Sequence, residues 1–405
     1  MAQPASRHTH ITEPEFCPNP ACIFHDRRIA QLTRWFQPFG HFDSKCRGPI
    51  PRFICSLCGK TCSTQTFSIH YWTHSTLDMG LIDERFYAGS GYRQIGRDLK
   101  LGYRVLKNRY QRIARNYLNL YDAFLEKQQF RENAAFDGFE SFVRSQYFPV
   151  NYHIMVGSNS LFPYMVNAEI LKRKGRMTKI QRSNRDVIAK HWKPRQAGIK
   201  RSCKSLFTTA AGMLKERDPE HPWIIDTDMK KEYPYAMKEV KEFNELMEKR
   251  CIIHRQTSSR KARTIWNYLF PVNYIDRELR KNAASHVRET TRQDREINMA
   301  MVRMVSTLGH HAFRKPFRID NKTDVDGDPT HSLMTGVIES AKSRWAFERL
   351  YTHRHVWTHQ AEKHEWMRMV WKAEYKNPPI VNFKTGEKKD SGQPGDGWFP
   401  AHLAA

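Results

Sequence analysis

Acidic residues in three separate segments of the 405-residue chain could take part in metal-dependent chemistry. Asp137 lies in the strand-like run AAFDGFESF, and Asp226 and Asp228 end a second such run, HPWIIDTDMKKEYP. Because successive residues of a strand face opposite sides, Asp226 and Asp228 share a face, and either could reach a site at the strand end. A third segment, NYIDRELRKNAASHVRET, supplies the candidates Asp276, Glu278 and Glu289.

Carboxylates gathered from distant parts of a sheet can hold two Mg²⁺ ions. Such ions lie ~3.5–4 Å apart, and in phosphoryl transfer they activate the attacking oxygen and stabilise the leaving one. Mg²⁺ prefers hard oxygen ligands and keeps several waters, which leaves room for the phosphate oxygens of DNA. Because 27% of the residues are charged, a single Asp is usually a solvated surface residue, and spacing alone does not identify the catalytic ones.

Two cysteine pairs near the N-terminus have the spacing of a structural zinc site. Cys17 and Cys22 lie in CPNPAC, and Cys55 and Cys58 lie in CSLCGK. A short turn lets two thiolates of one pair reach the same tetrahedral ion, and Gly59 permits such a turn after the second pair. The separation of the pairs predicts a zinc ribbon in which a hairpin carries each pair. A segment this poor in apolar residues would hardly fold without the metal.

A competing ligand set follows the pattern of a two-Cys, two-His finger, one residue short of its usual spacing. It consists of Cys55, Cys58, His70 and His74. We favour four cysteines because the finger leaves the first cysteine pair unexplained, with His25 and Cys46 as reserve ligands. Eight cysteines are too sparse for a disulfide framework, and their clustering indicates metal binding in a reducing cytoplasm.

Residues 81–116 have the pattern of a helix-turn-helix. Their apolar residues repeat with helical spacing, and Gly102 marks the break between two helices. The second helix, predicted from about residue 103 to 116, would enter the major groove of DNA. The basic residues expected on exposed faces and assigned to DNA binding are Arg93, Arg97, Arg104, Lys107, Arg109 and Arg112, with Arg115 next to them. An ordinary basic helical hairpin remains the alternative.

The charge balance favours a nucleic-acid partner. Lys and Arg number 67 against 42 Asp and Glu, and the net charge of +25 is spread along the whole chain. An excess of this size attracts polyanions. A membrane surface fits less well, because no long apolar run or amphipathic anchor is found. The N-terminal residues also lack the apolar region of a secretory signal.

The chain resembles the bacterial insertion-sequence transposases that join a zinc ribbon and a helix-turn-helix to a DDE-type catalytic domain with a ribonuclease-H-like fold. The motifs that carry the resemblance are CPNPAC, RFICSLCGKTCSTQTF, GYRQIGRDLKLGYRVLKNRYQRIAR, FDGFESF, LKRKGRMTKIQ, DTDMKKEYP and NYIDRELRKNAASHVRET. They span about residues 17–320. Each motif alone is weak, but their combination in this order is specific.

The resemblance implies roles for individual acidic residues. Asp137 corresponds to the first acid of the family and Asp228 to the second, so both would bind Mg²⁺. The family has a Glu at the third position, on a helix and often followed by basic residues. Asp276 has that context here, with Glu278 and Glu289 as the alternatives. If no third carboxylate binds metal, the chain would be a non-enzymatic, sequence-specific DNA-binding regulator derived from a transposase.

The resemblance also implies partners and location. The expected partner is double-stranded DNA, both the transposon ends and the target, and joining two ends needs at least a homodimer. The expected location is the bacterial cytoplasm in association with the nucleoid, with no membrane contact.

The predicted organisation is an α/β multidomain protein. Residues 1–76 form the zinc module, 77–130 the helix-turn-helix, 131–319 a ribonuclease-H-like mixed sheet flanked by helices, and 320–405 a partly helical, partly irregular extension. Two basic segments could bind DNA phosphates, namely Lys172, Arg173, Lys174 and Arg176, and then Arg260, Lys261 and Arg263. Trp192, Trp223 and Trp266 are predicted to be core or interface residues rather than platforms on which bases stack, because aromatic side chains are large hydrophobes first.

Overall fold

A three-stranded sheet organises the N-terminal part of the chain. The structure is a computed structural model that describes residues 12–126, 130–286, 292–317, 330–336, 349–354 and 364–389. A 3-10 helix (Ile23–His25) and helix α1 (Arg27–Ala30) precede strands β1 (Phe36–Ser44), β2 (Gly48–Cys55) and β3 (Thr61–Ser63). Both neighbouring pairs are antiparallel. Trp35, Phe53 and Phe67 belong to a small aromatic core that is separate from the main core of the protein.

Three helices follow the N-terminal sheet. They are α2 (Met79–Tyr87), α3 (Tyr92–Asp98) and α4 (Tyr103–Glu126). The predicted break at Gly102 is confirmed, because this residue directly precedes α4. The connection is tight, since a Cβ on Gly96 would lie 2.7 Å from the carbonyl oxygen of Leu101. Helix α4 continues beyond the predicted end at 116 as far as Glu126, because its apolar face stays buried along its length.

A mixed five-stranded sheet forms the centre of the molecule. Its strands are β4 (Ala134–Phe142), β5 (Pro149–Gly157), β6 (Pro163–Ile170), β7 (Trp223–Thr227) and β8 (Ile252–Gln256), arranged in the order β6-β5-β4-β7-β8. The first three strands are antiparallel, and β7 and β8 run parallel to β4. The predicted hairpin with Asp137 on its first strand is therefore confirmed.

Helices cover both faces of this sheet. Between β6 and β8 lie α5 (Lys179–His191), α6 (Gly198–Met213), α7 (Glu232–Glu239) and α8 (Lys241–Glu248). Helix α9 (Phe270–Asn282) follows β8 and packs against β4 and β5. Residues of β4 alternate between the two faces, since Phe136 contacts Phe207 of α6 whereas Phe139 lies under Arg280 of α9.

The C-terminal elements are helices α10 (Ile297–Phe313), α11 (His331–Met334) and α12 (Glu365–Trp371), followed by the short strands β9 (Ile380–Val381) and β10 (Lys388–Lys389). Helix α10 packs along α4. The ring of Tyr121 contacts Phe162 of the sheet region, Phe313 and Trp366. Buried side chains of α2–α4, the five-stranded sheet and α12 therefore form one continuous core.

The mixed α/β class with a helical part, a five-stranded sheet and a cysteine module agrees with the prediction. Much of the predicted extension 320–405 lies outside the described residues. No helix in the described ranges has both the length and the apolar composition needed to cross a bilayer.

Candidate functional site

The sulfur atoms of Cys17, Cys22, Cys55 and Cys58 all lie within 4.8 Å of one another. The Sγ atoms of Cys17 and Cys58 are 3.5 Å apart, and those of Cys22 and Cys55 are 3.8 Å apart. Zinc–thiolate bonds of ~2.3 Å in a tetrahedron place sulfurs about 3.8 Å apart, so the cluster has the size of a zinc site. The predicted four-cysteine cluster is confirmed, and its donor set fits structural zinc.

Burial makes the thiolate forms of the cysteines less favourable, so a cation among the sulfurs would stabilise them. Burial raises the pKa of the Cys17 and Cys22 thiols above the ordinary value. Burial also acts to raise the pKa of Cys58, but hydrogen bonds from the Lys60 backbone and the Asn19 side chain outweigh it, and the pKa is lowered to about 7. Gly59 has the positive φ of 68° expected for the tight turn, and its N–H donates to the Cys55 carbonyl at 3.0 Å.

The competing ligands do not enter this cluster. His70 and His74 are absent from the group, so the two-Cys, two-His set is not formed. The reserve ligand His25 places its Nδ1 2.8 Å from the carbonyl oxygen of Cys17, and the other reserve, Cys46, is exposed.

The hairpin predicted for each cysteine pair is found only for the second. Cys55 and Cys58 occupy the connection between β2 and β3, whereas the first pair lies in a loop that leads into the 3-10 helix. The prediction is wrong for the first pair because Pro18 and Pro20 have no N–H to donate to a strand ladder.

Asp137 and Asp228 meet where two neighbouring strands lie side by side. Phe136 of β4 is the register partner of Thr227 at the end of β7, and the strands are parallel. The next residue of each chain segment is Asp137 or Asp228, so the two carboxylates lie at the same level of the sheet. The alternative Asp226 pairs instead with Arg255, whose Nε and Nη2 lie 2.5 and 2.9 Å from its carboxylate oxygens.

Asp276 on α9 joins this acidic group. Burial and then the charge of Asp137 raise the pKa of Asp276 to about 7, against an ordinary value of 3.8. The same two causes raise the pKa of Asp228. Asp137 is therefore close enough to both Asp228 and Asp276 for its charge to act on each of them.

Lys230 and Tyr233 complete the site, and sequence reasoning missed both. The ammonium of Lys230 lies 3.5 Å from Asp137 Oδ1 and 3.9 Å from Asp228 Oδ2. Its backbone N–H donates to Asp228 Oδ1 at 2.9 Å, and the Tyr233 hydroxyl donates to Asp137 Oδ1 at 3.0 Å. Burial acts to lower the pKa of Lys230, but the two carboxylates outweigh it and raise that pKa. The only signal in the sequence is the spacing of Lys230 and Tyr233 after Asp228.

The other candidates for the third acid are placed differently. Glu278 accepts hydrogen bonds from Lys315 at 2.6 Å and from Asn282 at 3.2 Å. Two residues along a helix correspond to about 200° of rotation, so Glu278 and Asp276 point to opposite sides of α9. Glu289 lies outside the described residues.

The carboxylates are more widely spaced than the cysteines. Within the described ranges, no second group of three or more ligating side chains has all its ligand atoms within 4.8 Å of one another. A two-ion site does not require that spacing, because carboxylates on opposite sides of the pair bind different ions.

The basic residues predicted on exposed faces of the helix-turn-helix fall into two groups. Arg93, Arg97 and Arg104 are exposed, and Lys107 pairs with Glu296 at 2.9 Å. The prediction of exposure is wrong for Arg109, Arg112 and Arg115, which are buried.

The buried arginines have backbone carbonyls as partners. Arg109 donates to the carbonyl of Ser75 at 2.8 Å, and Arg112 donates to that of Ile69 at 2.9 Å. Arg115 donates to the carbonyl of Trp371 at 3.2 Å. These arginines were mispredicted because α4 packs under the end of the N-terminal module and against α12, rather than standing free.

The two basic segments border opposite edges of the five-stranded sheet, because β6 and β8 are its edge strands. Lys172, Lys174 and Arg176 are exposed and Arg173 is half-buried, and Arg260, Lys261 and Arg263 are all exposed. The core prediction holds for Trp223, which is buried, and Trp192 packs its ring against Phe148. Trp266 is 85% exposed and is therefore not a core residue, and the interface alternative for it stays a prediction.

No protein-family model and no curated protein sequence matches this chain.

Proposed function

We propose that this protein is a DNA transposase that cuts DNA at transposon ends and joins the freed ends to target DNA. The observation that carries the proposal is the approach of Asp137, Asp228 and Asp276 from two neighbouring strands and a covering helix. A mixed five-stranded sheet flanked by helices agrees with the ribonuclease-H-like fold that the resemblance implies. The resemblance adds the reaction class, since three acids in this arrangement are typical of polynucleotidyl transfer.

Two Mg²⁺ ions held by Asp137, Asp228 and Asp276 would activate the attacking oxygen and stabilise the leaving one. The surrounding residues orient the acids for this task. Tyr233 fixes one oxygen of Asp137, and the backbone N–H of Lys230 fixes one oxygen of Asp228. Asp137 Oδ2 and Asp228 Oδ2 remain for metal, and the ammonium of Lys230, 3.9 Å from Asp228 Oδ2, would have to move aside.

Recognition of double-stranded DNA is assigned to the zinc module and to helices α3 and α4. Arg93, Arg97 and Arg104 are the exposed cations of this region that could contact phosphates or base edges. Zinc at the four cysteines would hold the module in shape. Joining two DNA ends implies at least a homodimer.

The test is a nicking assay on a DNA fragment that contains the coding sequence with its flanking DNA on both sides. The full-length protein should nick this fragment in the presence of Mg²⁺. Asn in place of Asp137, Asp228 or Asp276 should abolish nicking while leaving DNA binding within a few-fold. Asp218→Asn is the matched control, because Asp218 is exposed and pairs only locally with His221. Equal nicking by wild type and all three variants would overturn the assignment.

One observation favours a second function, that of a sequence-specific DNA-binding regulator without catalysis. The ammonium of Lys230 already supplies a positive charge between Asp137 and Asp228. A fixed internal cation could replace the metal and leave a site that only stabilises the fold. Specific binding to the flanking DNA, with no nicking by the wild type at any Mg²⁺ concentration, would identify this function.

A further inference from the structure

The loop between β8 and α9, residues 257–269, exposes an indole beside three cations. Trp266 is 85% exposed and the adjacent Ile265 is 67% exposed. Arg260, Lys261 and Arg263 are exposed as well, and the loop contains no acidic residue. Leaving so large an apolar surface in water is unfavourable, so a ligand that covers it would gain free energy.

Both ends of this loop are attached to the acidic site. At its start, the N–H of Thr257 donates to the carbonyl of Thr227 at 2.8 Å, directly before Asp228 in the chain. At its end, the loop leads into α9, which carries Asp276. Arg263 is close enough to Asp276 for its charge to favour the ionised carboxylate. The indole therefore lies on a segment that borders the three carboxylates.

Internal hydrogen bonds give the loop a defined shape. The side-chain N–H of Asn267 donates to the carbonyl of Ala262 at 2.8 Å, and the backbone N–H of Asn267 donates to the carbonyl of Thr264 at 3.1 Å. The guanidinium of Arg255 lies 3.3 Å from the centre of the Tyr268 ring. The two residues that follow Trp266 are held by these contacts, while the indole itself is exposed.

We propose that Trp266 is a stacking platform for an unpaired nucleotide base of DNA, whose flanking phosphates are bound by Arg260, Lys261 and Arg263. Aromatic rings combined with cations, without acidic residues, are the combination that binds single-stranded nucleic acid. Bases inside a duplex are covered by their neighbours on both sides. The ligand is therefore a base outside the stack, at a DNA end or at a distorted position next to the carboxylates. This inference rests on the proposed function only in taking DNA as the substrate of the neighbouring acids.

The test compares two substitutions at Trp266 in full-length, zinc-loaded protein, with fluorescein-labelled short single strands and blunt duplexes as probes. Trp266→Leu keeps an apolar side chain but has no ring, and should weaken single-strand binding at least about fivefold, the lower end for one base–aromatic stack. Trp266→Phe keeps a ring and should stay within about twofold of wild type. Blunt-duplex binding should be unchanged in both variants.

Tyr235→Leu is the matched control, because Tyr235 is another exposed aromatic residue, at 63%, and lies on α7 outside the regions assigned to DNA recognition. Equal affinity of wild type and Trp266→Leu for single strands, or an equal loss in Tyr235→Leu, would overturn the platform. The buffer contains neither Mg²⁺ nor chelator, so the result does not depend on nicking. A loss of affinity in Trp266→Leu without any nicking by the wild type would overturn the transposase and keep the platform.

Discussion

Replacement of Lys230 by methionine tests whether its ammonium competes with metal for the acidic site. Lys230→Met retains most of the length and apolar part of the side chain but removes the positive charge. In the wild type the ammonium lies 3.5 Å from Asp137 and 3.9 Å from Asp228. A divalent ion that binds between these carboxylates must displace it. Metal binding to the wild type therefore includes the loss of both ion pairs, whereas binding to the variant does not.

The distances set the size of this effect. A unit charge pair at 3.5 to 3.9 Å is worth about 1 kcal/mol with the dielectric constant of water, which gives about 2 kcal/mol for the two carboxylates. The true interaction is stronger in a half-buried site, but ordering of the lysine side chain offsets part of it. Since about 1.4 kcal/mol corresponds to a factor of ten, Lys230→Met should bind divalent metal roughly thirtyfold more tightly.

Mn²⁺ titration, followed by the EPR signal of the free ion, measures this change, and competition with Mg²⁺ extends it to the expected cofactor. Lys231→Met is the matched control, because Lys231 is the next residue and is exposed. It should bind metal like the wild type. Unchanged or weaker metal binding by Lys230→Met would refute the competition and identify the ammonium as the group that organises the carboxylates.

Three further predictions concern the zinc module, helix α4 and Asp276. Cys55→Ser or removal of zinc should expose the first 75 or so residues to limited proteolysis while the five-stranded sheet stays protected, because four sulfurs hold the small aromatic core together; unchanged protection would contradict a structural metal. Arg109→Ala should lower the free energy of unfolding by about 1–3 kcal/mol, because the Ser75 carbonyl loses its donor. Arg104→Ala, at an exposed position, should leave the free energy of unfolding unchanged and weaken DNA binding. The assignment would be refuted if Arg104→Ala destabilised the fold and Arg109→Ala weakened only DNA binding. Burial raises the pKa of Asp276 from 3.8 to about 7, so the native state keeps a proton that the unfolded chain releases, and wild-type stability should fall as pH rises between those values. Asp276→Asn should therefore gain stability relative to wild type over that interval, by at most roughly 4 kcal/mol. If the two proteins differed in unfolding free energy by the same amount at pH values of about 5 and 8, the raised pKa of Asp276 would be refuted.

The parts of the fold that the sequence predicted are those fixed by local spacing. Two thiols in a short turn followed by Gly59 have few other arrangements, and the strand-like runs AAFDGFESF and NYHIMVG follow each other closely in the chain, as the strands of a hairpin do. The local sequence favours Asp276 but does not show where Glu278 binds. Glu278 pairs with Lys315, which is distant in the sequence and lies on the other side of α9.

The errors have a common physical origin in contacts between distant segments. A basic helix with arginines at regular intervals is typical of a DNA-binding surface, yet carbonyls from residues 69, 75 and 371 convert three of those arginines into structural donors. In a chain of net charge +25, little in the sequence distinguishes Lys230 from the other basic residues. Only the parallel register of β4 and β7 brings Asp137 within reach of it.

The buried arginines of α4 also fix the position of the N-terminal module relative to the acidic site. Arg112 holds the carbonyl of Ile69 at the end of that module, and Arg115, one turn further along, holds that of Trp371 in α12. The same helix packs along α10, which shares its core with the sheet that carries Asp137. Because α4 is continuous from the exposed Arg104 to this core, a ligand bound at its N-terminal end lies at a set distance from the carboxylates. The distance from Arg104 to the carboxylates is therefore spanned by one continuous helix and the core in which it packs, and not by an irregular linker.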